Sequence, residues 1–115
     1  EPLPVMLIPA LWSWVIENLV KNAVDAMQGK GEITIAIERR GHAALIDITD
    51  TGRGIAPRHR RRIFNPGFTT KSRGWGLGLS LARRIVETYH HGRITLLRSE
   101  VGIGTTFRIK IPLND

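Results

Sequence analysis

The chain has 115 residues, 42% of them hydrophobic and 23% charged, which is typical of one soluble globular domain. It contains no cysteine, and this excludes disulfides, thiolate zinc sites and a thiol nucleophile. No apolar run approaches the roughly 20 residues of a membrane span, and Glu1-Pro2 does not begin a signal peptide. Because the chain opens in mid-pattern without a methionine, we expect it to be a piece of a longer protein.

The net charge of +7 favours anionic partners such as nucleic acid, a membrane surface or a nucleotide, and charge alone does not choose among them. The densest basic run, Arg-His-Arg-Arg-Arg at residues 58–62, follows Pro57 in a predicted short helix. It has no interleaved aromatic residues on which bases could stack. We interpret it as a solvated face and expect no nucleic-acid contact; a basic nucleic-acid-binding module is an alternative.

The first long apolar pattern runs from Leu11 to Met27 and predicts a helix that Gly29 ends. Pro9 suits the first turn, whereas Ile8 is a poor cap, so packing has to stabilise this helix. Residues 4–7 have room for a short edge strand. The predicted buried stripe comprises Trp12, Ile16, Leu19, Ala23 and Met27, and the solvated stripe comprises Ser13, Glu17, Lys21 and Gln28.

A third stripe of the same helix carries Asn18, Asn22 and Asp25 at i, i+4 and i+7, so these side chains project along the boundary between core and solvent. Amides are poor helix formers, and two on one line suggest a role beyond solubility. Without other support, a hydrated helix edge is the simpler explanation.

Two segments with alternating apolar residues, 33–37 and 44–48, flank a turn at 40–42 and predict an antiparallel hairpin. The second strand runs into Asp50-Thr51-Gly52-Arg53-Gly54. A carboxylate at a strand end, followed by two glycines, can face a ligand whose flat ring approaches the backbone closely. Asp-Thr-Gly also occurs in aspartic proteases, but a single copy would need a dimer and the following Arg-Gly-Ile does not suit that role.

A long connection between Ile55 and Gly74 contains a turn at Pro66-Gly67 and resembles a lid over a ligand more than a disordered surface loop. It leads into Gly-Trp-Gly-Leu-Gly at residues 74–78. Alternate glycines leave backbone N–H groups uncovered in front of a helix, which suits the wrapping of phosphate oxygens. A flexible turn before a surface helix is the alternative.

The second predicted helix runs from Leu79 to about His90, and Gly92 ends it. The adjacent His90 and His91 would close it, where a cation interacts favourably with the helix dipole. Two strands, 93–99 and 105–113, complete the chain. The side chains expected to be buried are Ala82, Ile85, Val86 and Tyr89 in the helix and Phe107, Ile109 and Ile111 in the last strand, with Arg108 and Lys110 outward.

Four segments together, residues 18–23, 50–54, 64–71 and 74–79, resemble in order and spacing the N, G1, F and G2 boxes of sensor histidine kinases. The resemblance covers nearly the whole chain. The dinucleotide fingerprint G-x-G-x-x-G fails, because Leu79 occupies its last position and no parallel βαβ unit surrounds it.

The resemblance implies the ATP-binding catalytic domain of the GHKL superfamily over residues 1–115, with an ATP lid at about 56–76. It implies an α+β fold, a two-layer sandwich in which about three helices cover one face of a mixed sheet of about five strands. ATP and Mg²⁺ are the implied cofactors. We expect a cytoplasmic domain that is monomeric in isolation and makes no membrane contact, within a full-length protein that could be membrane-attached.

In that family the G1 aspartate, here Asp50, accepts a hydrogen bond from the adenine amino group, and Thr105 resembles the threonine that supports this contact through water. Asn22 would coordinate Mg²⁺ and Asn18 would assist at the phosphates, so both amides are the implied catalytic residues. Lys71 and Arg73 would neutralise the terminal phosphates. The other implied nucleotide contacts are Asp25, Gly52, Gly54, Ile55, Phe64, Thr70, Gly74, Gly76, Leu77, Gly78 and Leu79.

Two departures from the family pattern matter. Asp25 stands where many histidine kinases carry Lys or Arg, which argues against a cationic phosphate contact from this helix. Asn18 stands where ATP-hydrolysing relatives such as gyrase and Hsp90 carry a water-activating glutamate, and Glu17 is one residue off, on the solvated stripe. We therefore expect slow hydrolysis, with the γ-phosphoryl reserved for transfer.

None of the four histidines sits in the sequence context of the family's phosphoacceptor. The acceptor would be a histidine on a separate dimerisation and phosphotransfer domain of the full-length protein, with a response regulator downstream. A GHKL ATPase or a serine-directed anti-sigma-type kinase is the alternative within the same superfamily.

Overall fold

The structure is a computed structural model that describes residues 5, 7–68 and 78–114. Two α-helices and four strands form its regular part, supplemented by a 3₁₀ helix and a π-helical turn. In chain order these are α1 (Pro9–Ala26), β1 (Ile33–Arg40), β2 (Ala43–Asp50), the 3₁₀ helix (Pro57–His59), α2 (Gly78–Arg84), the π-helical turn (Ile85–Tyr89), β3 (Arg93–Glu100) and β4 (Gly104–Pro112).

The predicted first helix is confirmed. Pro9 lies in the first turn of α1, and Ile8 at the N-cap makes no side-chain capping bond. Val15, Leu19 and Ala23 are its buried residues, so the stripe is centred on Val15, which the predicted set omits. The expected edge strand at residues 4–7 is reduced, among the described residues, to a bridge between Val5 and Leu113.

The four strands form one antiparallel sheet in the order β1-β2-β4-β3. The predicted α+β fold is confirmed, while the described residues give four antiparallel strands where about five in a mixed sheet were expected. Directly paired residues share a face, so the pairs Ile46–Ile109 and Ile48–Phe107 point together toward the helices. They form one core with Val15 and Leu19 of α1 and with Ile85 and Val86.

The second predicted helix changes character at its middle. It is α-helical over Gly78–Arg84 and π-helical over Ile85–Tyr89, and it buries Ala82, Ile85 and Val86 as expected. Tyr89, predicted to be buried, is 50% exposed. A π-helical turn contains more residues than an α-helical one, so it rotates Tyr89 away from the face that α-helical periodicity assigns to it.

His90 ends the second helix as its C-cap, as predicted, but its side chain is only 3% exposed and does not face solvent as a helix-end cation would. Its Nε2 accepts a hydrogen bond from the backbone N–H of Ile8 at 2.9 Å, and Nδ1 lies 3.0 Å from the carbonyl oxygen of Ile85. Since Nε2 accepts from Ile8, Nδ1 is the ring nitrogen placed to donate to Ile85. The ring also contacts Trp12 edge-on, so His90 joins the start of α1 to the end of the second helix.

Candidate functional site

A cavity of about 650 Å³ opens between α1, the end of β2 and the start of α2. Its volume is within the range of small-molecule sites. The predicted site residues that line it are Asn18, Asn22, Asp50, Gly54, Ile55, Gly78, Leu79 and Thr105. The structure therefore brings a carboxylate, two amides and the first glycine of α2 to one cavity, although Asn18 and Gly78 are 60 positions apart along the chain.

Asp50, the last residue of β2, provides the carboxylate of the cavity. It is 7% exposed, and the backbone N–H of Gly52 donates to its Oδ1 at 2.8 Å. Burial raises the pKa of Asp50, and hydrogen bonds from the backbone N–H groups of Gly52 and Thr105 oppose part of that rise. A buried carboxylate at a cavity wall is a strong acceptor for a ligand N–H group.

The two glycines after Asp50 have different surroundings. Gly54 has φ +77° and lines the cavity, and a Cβ there would collide with the backbone of Glu100. Gly52 is buried, and a Cβ there would lie 2.8 Å from the backbone of Ala26. Gly52 therefore packs against the end of α1 and holds Asp50, whereas Gly54 borders the cavity itself.

The three residues of the predicted polar stripe of α1 have different surroundings in the structure. Asn18 and Asn22 line the cavity, whereas Asp25 is exposed and lies outside its lining. The Nδ2 group of Asn18 is buried and has no hydrogen-bond partner among the described residues. A buried amide donor left without a partner costs about 1–3 kcal/mol, so this position favours a ligand that supplies an acceptor oxygen.

The predicted contact from Phe64 lies elsewhere. Its ring packs edge-on against Phe107, with centroids 6.1 Å apart, and the Arg83 guanidinium lies 5.7 Å from its centre. Phe64 borders a second groove with Arg61, Arg83 and Arg93 on a different part of the surface. The remaining predicted contacts lie outside the described residues: Thr70, Lys71, Arg73, Gly74, Gly76 and Leu77.

Sequence reasoning missed several residues of the cavity. The apolar part of the lining includes Trp14, Ile48, Ile63, Phe68, Leu81, Val101 and Phe107. Phe68 belongs to the third matching segment, which was a usable signal. Three basic residues, Lys21, Arg53 and His59, also line the cavity, and Lys21 is exposed, as its place on the solvated stripe of α1 predicts. The side chains of Lys21 and Arg53 offer positive charge to an anionic ligand.

Ser99, near the end of β3, was also missed. Its hydroxyl is 2.8 Å from Thr105 Oγ1 and accepts the backbone N–H of Ile55 at 2.8 Å. The predicted pairing of the last two strands was the sequence signal that could have identified Ser99, because β3 and β4 place residues 99 and 105 opposite each other.

The four arginines of the basic run at residues 58–62 are exposed, which agrees with the predicted solvated face, and His59 is half-buried. His59 lines the cavity, and Arg60 donates to the carbonyl oxygens of Ser99 and Ile55. Across the described part of the chain, no helix is both long and apolar enough to span a bilayer, and no group of three or more His, Cys, Asp or Glu side chains is placed to hold a metal ion.

The fold is an antiparallel sheet covered by helices, and a buried aspartate and two side-chain amides line the cavity at the helix layer. These features define a ligand-binding α+β domain. Residues 9–115 match the family described as "Histidine kinase-, DNA gyrase B-, and HSP90-like ATPase". The chain belongs to this family.

Curated relatives include the sensor histidine kinase ZraS of Escherichia coli K12, 40% identical over 87% of this chain, and sporulation kinase B of Bacillus subtilis, 41% identical over 83%. The chain spans about a fifth of the length of these relatives, 21% and 22% respectively. Among solved structures, a nucleotide-free catalytic domain of histidine kinase ThkA superimposes with a TM-score of 0.82 at 35% identity, covering 94% of this chain and 70% of that one. The mycobacterial sensor histidine kinase MprB gives a TM-score of 0.81 at 25% identity, covering 95% of this chain and 76% of that one.

Proposed function

We propose that this chain binds Mg·ATP in the 650 Å³ cavity and is the catalytic domain of a two-component sensor histidine kinase, which delivers the γ-phosphoryl group to a histidine on a separate helical domain. The observation that carries the proposal is that Asp50, Asn18, Asn22 and Gly78 line one cavity. Membership of an ATPase family and the similarity to sensor histidine kinases support it.

Adenine recognition is assigned to the Asp50 end of the cavity. The carboxylate accepts from the exocyclic amino group, and Thr105 lies beside it on β4. Gly54 lines this end of the cavity, and its φ of +77° together with the nearby backbone of Glu100 excludes a side chain at this position. Ile55, Ile48 and Phe107 give this end apolar walls suited to a flat ring.

The phosphates are assigned to the Asn18 end. The unpartnered Nδ2 group of Asn18 suits a phosphate oxygen, and Lys21 adds positive charge at the same wall. The side-chain oxygen of Asn22 would hold Mg²⁺, which prefers oxygen ligands and is often bound by few protein groups together with phosphates. When bound, the ion would neutralise part of the negative charge of the phosphates.

Transfer rather than hydrolysis is supported by the carboxylates near the phosphates. Among the described residues, Asp50 is the one carboxylate that lines the cavity, and we assign it to adenine recognition. Glu17 is exposed and lies outside the lining, so it is not placed to activate a water molecule. A chain of this kind positions ATP and neutralises charge, while the acceptor domain brings the nucleophile.

A phosphotransfer assay tests this proposal. The chain is mixed with the separately purified dimerisation and phosphotransfer domain of its full-length protein and with γ-labelled ATP. We expect label on that domain that is stable in alkali and labile in acid, as for phosphohistidine, and little turnover by the chain alone. Rapid hydrolysis by the chain alone would favour a GHKL ATPase, and acid-stable label would favour a serine-directed kinase.

A further inference from the structure

The hydroxyl groups of Ser99 and Thr105 form a pair next to Asp50 and connect the proposed adenine site to β3. Ser99 is 4% exposed, and its Oγ lies 2.8 Å from Thr105 Oγ1 and 3.3 Å from the carbonyl oxygen of Gly104. The backbone N–H of Ile55 donates to the same Oγ at 2.8 Å. Thr105 lines the cavity, whereas Ser99 does not.

The Ser99 proton has two acceptors within reach, the carbonyl oxygen of Gly104 and Thr105 Oγ1. Hydrogen bonds between a hydroxyl donor and an oxygen acceptor have typical lengths of about 2.5–3.0 Å. The contact with Thr105 is within this range, and the 3.3 Å contact with Gly104 is outside it. The N–H of Ile55 occupies one of the two lone pairs of Ser99 Oγ, and the shorter contact favours Thr105 Oγ1 as the acceptor of the Ser99 proton.

We propose that Ser99 is a positioning residue whose hydroxyl donates to Thr105 Oγ1 and thereby turns the Thr105 proton into the cavity. There the Thr105 hydroxyl helps to select adenine over guanine. This inference rests on the proposed function. With this orientation the base site offers an acceptor, Asp50, beside a donor, Thr105. Adenine presents the complementary edge, a 6-amino donor next to the ring nitrogen acceptor, whereas guanine presents an acceptor oxygen next to an N–H donor.

The same network fixes the segment after Gly54. Ser99 holds the N–H of Ile55, and Arg60 donates to the carbonyl oxygens of both Ser99 and Ile55. Hydrogen bonds to Ser99 on β3 therefore hold both Ile55, at the base site, and Arg60, in the segment that follows. Loss of the Ser99 hydroxyl removes an acceptor from Ile55 and the donor that orients Thr105.

Ser99→Ala tests the inference against a control that the sheet itself supplies. Thr49 and Thr106 form a similar cross-strand hydroxyl pair at 2.9 Å, one position along from Asp50 and Thr105. Alternation along the strands places that pair on the opposite face, away from the cavity. Thr49→Ala therefore removes a comparable hydroxyl contact without touching the base site.

ATP and GTP affinities are measured by titration for the wild-type chain, S99A, T49A, T105V and the double variant S99A/T105V, with unfolding curves to verify folding. S99A is expected to weaken ATP binding about tenfold and GTP binding by a smaller factor, because the lost Ile55 contact affects either base and the lost Thr105 orientation affects adenine alone. The ATP-to-GTP ratio therefore falls, while T49A keeps the wild-type ratio. In the T105V background S99A should lower the ratio no further, because Ser99 acts through Thr105.

An unchanged ratio in S99A, an equal fall in T49A, or an additive fall in the double variant would overturn the inference. If the wild-type chain binds ATP and S99A keeps its preference, the inference fails while the proposed function stands. If the wild-type chain does not bind ATP, the proposed function fails and this inference with it.

Discussion

Gly78 stands so close to Asn18 that a Cβ atom at residue 78 would lie 2.7 Å from Nδ2 and 2.8 Å from Oδ1 of that side chain. Distances below 3.0 Å require one of the groups to move. The first residue of the second helix therefore has to be glycine if the Asn18 amide is to keep its place at the cavity wall. The glycine pattern and the amide stripe, separate motifs in the sequence, form a single contact in the folded chain.

Gly78→Ala should weaken ATP binding about tenfold, because the added methyl group displaces the Asn18 amide. Asn18→Ala should weaken binding by a similar factor, and the two changes combined should do no more harm than Asn18→Ala alone. Calorimetric titration of the three variants measures this coupling. Additive losses would mean that the two residues act separately.

Asn22→Ala distinguishes a metal ligand from a general phosphate contact. We expect ATP affinity to fall about tenfold in Mg²⁺ and less than about twofold in EDTA, because the side-chain oxygen would act through the ion. Titrations with ATP under both conditions give the comparison. Equal losses in both would remove Asn22 from the metal site.

Asp50 and Asp47, both on β2, should show opposite pH dependence of stability. Burial raises the folded-state pKa of Asp50, so its ionisation destabilises the fold as the pH rises through that pKa. Asp50→Asn should therefore unfold at a higher urea concentration than the wild type at pH 7 to 8, and this advantage should shrink in acid.

Asp47 is the matched control for this series. The Arg108 guanidinium contacts both its oxygens at 2.8 Å and lowers the pKa of Asp47. The pair therefore stabilises the fold above the unfolded-state pKa of an aspartate, and this contribution is lost as the pH falls through the lowered value. Asp47→Asn should be less stable than the wild type near neutrality, with a difference that disappears in acid. The same pH trend in both variants would contradict the assignment of either carboxylate.

His90→Ala should destabilise the chain by about 2–3 kcal/mol, because the N–H of Ile8 and the carbonyl oxygen of Ile85 lose their partner inside the fold. His91, its exposed neighbour, is the control, and His91→Ala should change the unfolding free energy by less than about 0.5 kcal/mol. Urea unfolding of the two variants measures the difference. Equal effects would show that His90 has no special structural role.

The elements that sequence periodicity predicted well are those whose pattern is long and local. Helix α1, the hairpin of β1 and β2, and the buried alternation Phe107, Ile109, Ile111 on β4 required only spacing and glycine positions. The expected position of Asp50 at a strand end followed from the same reasoning.

The errors arose where distant parts of the chain decide the outcome. The alternation at residues 33–37 predicts a strand without indicating its place in the sheet, and Ile37 is 64% exposed because β1 is an edge strand. His90 is buried because Ile8 and Trp12, more than 70 residues earlier, lie against it. Phe64 packs on Phe107 rather than lining the cavity, a choice set by the tertiary position of the segment after the 3₁₀ helix. No local pattern contains this information.

The central claim is that the cavity holds ATP through the carboxylate of Asp50, and one calorimetric titration tests it most directly. The wild-type chain should bind ATP saturably at one site, and Asp50→Asn, with its fold verified by unfolding, should lose about 10- to 100-fold in affinity. Equal affinity of the two proteins for ATP would contradict the account.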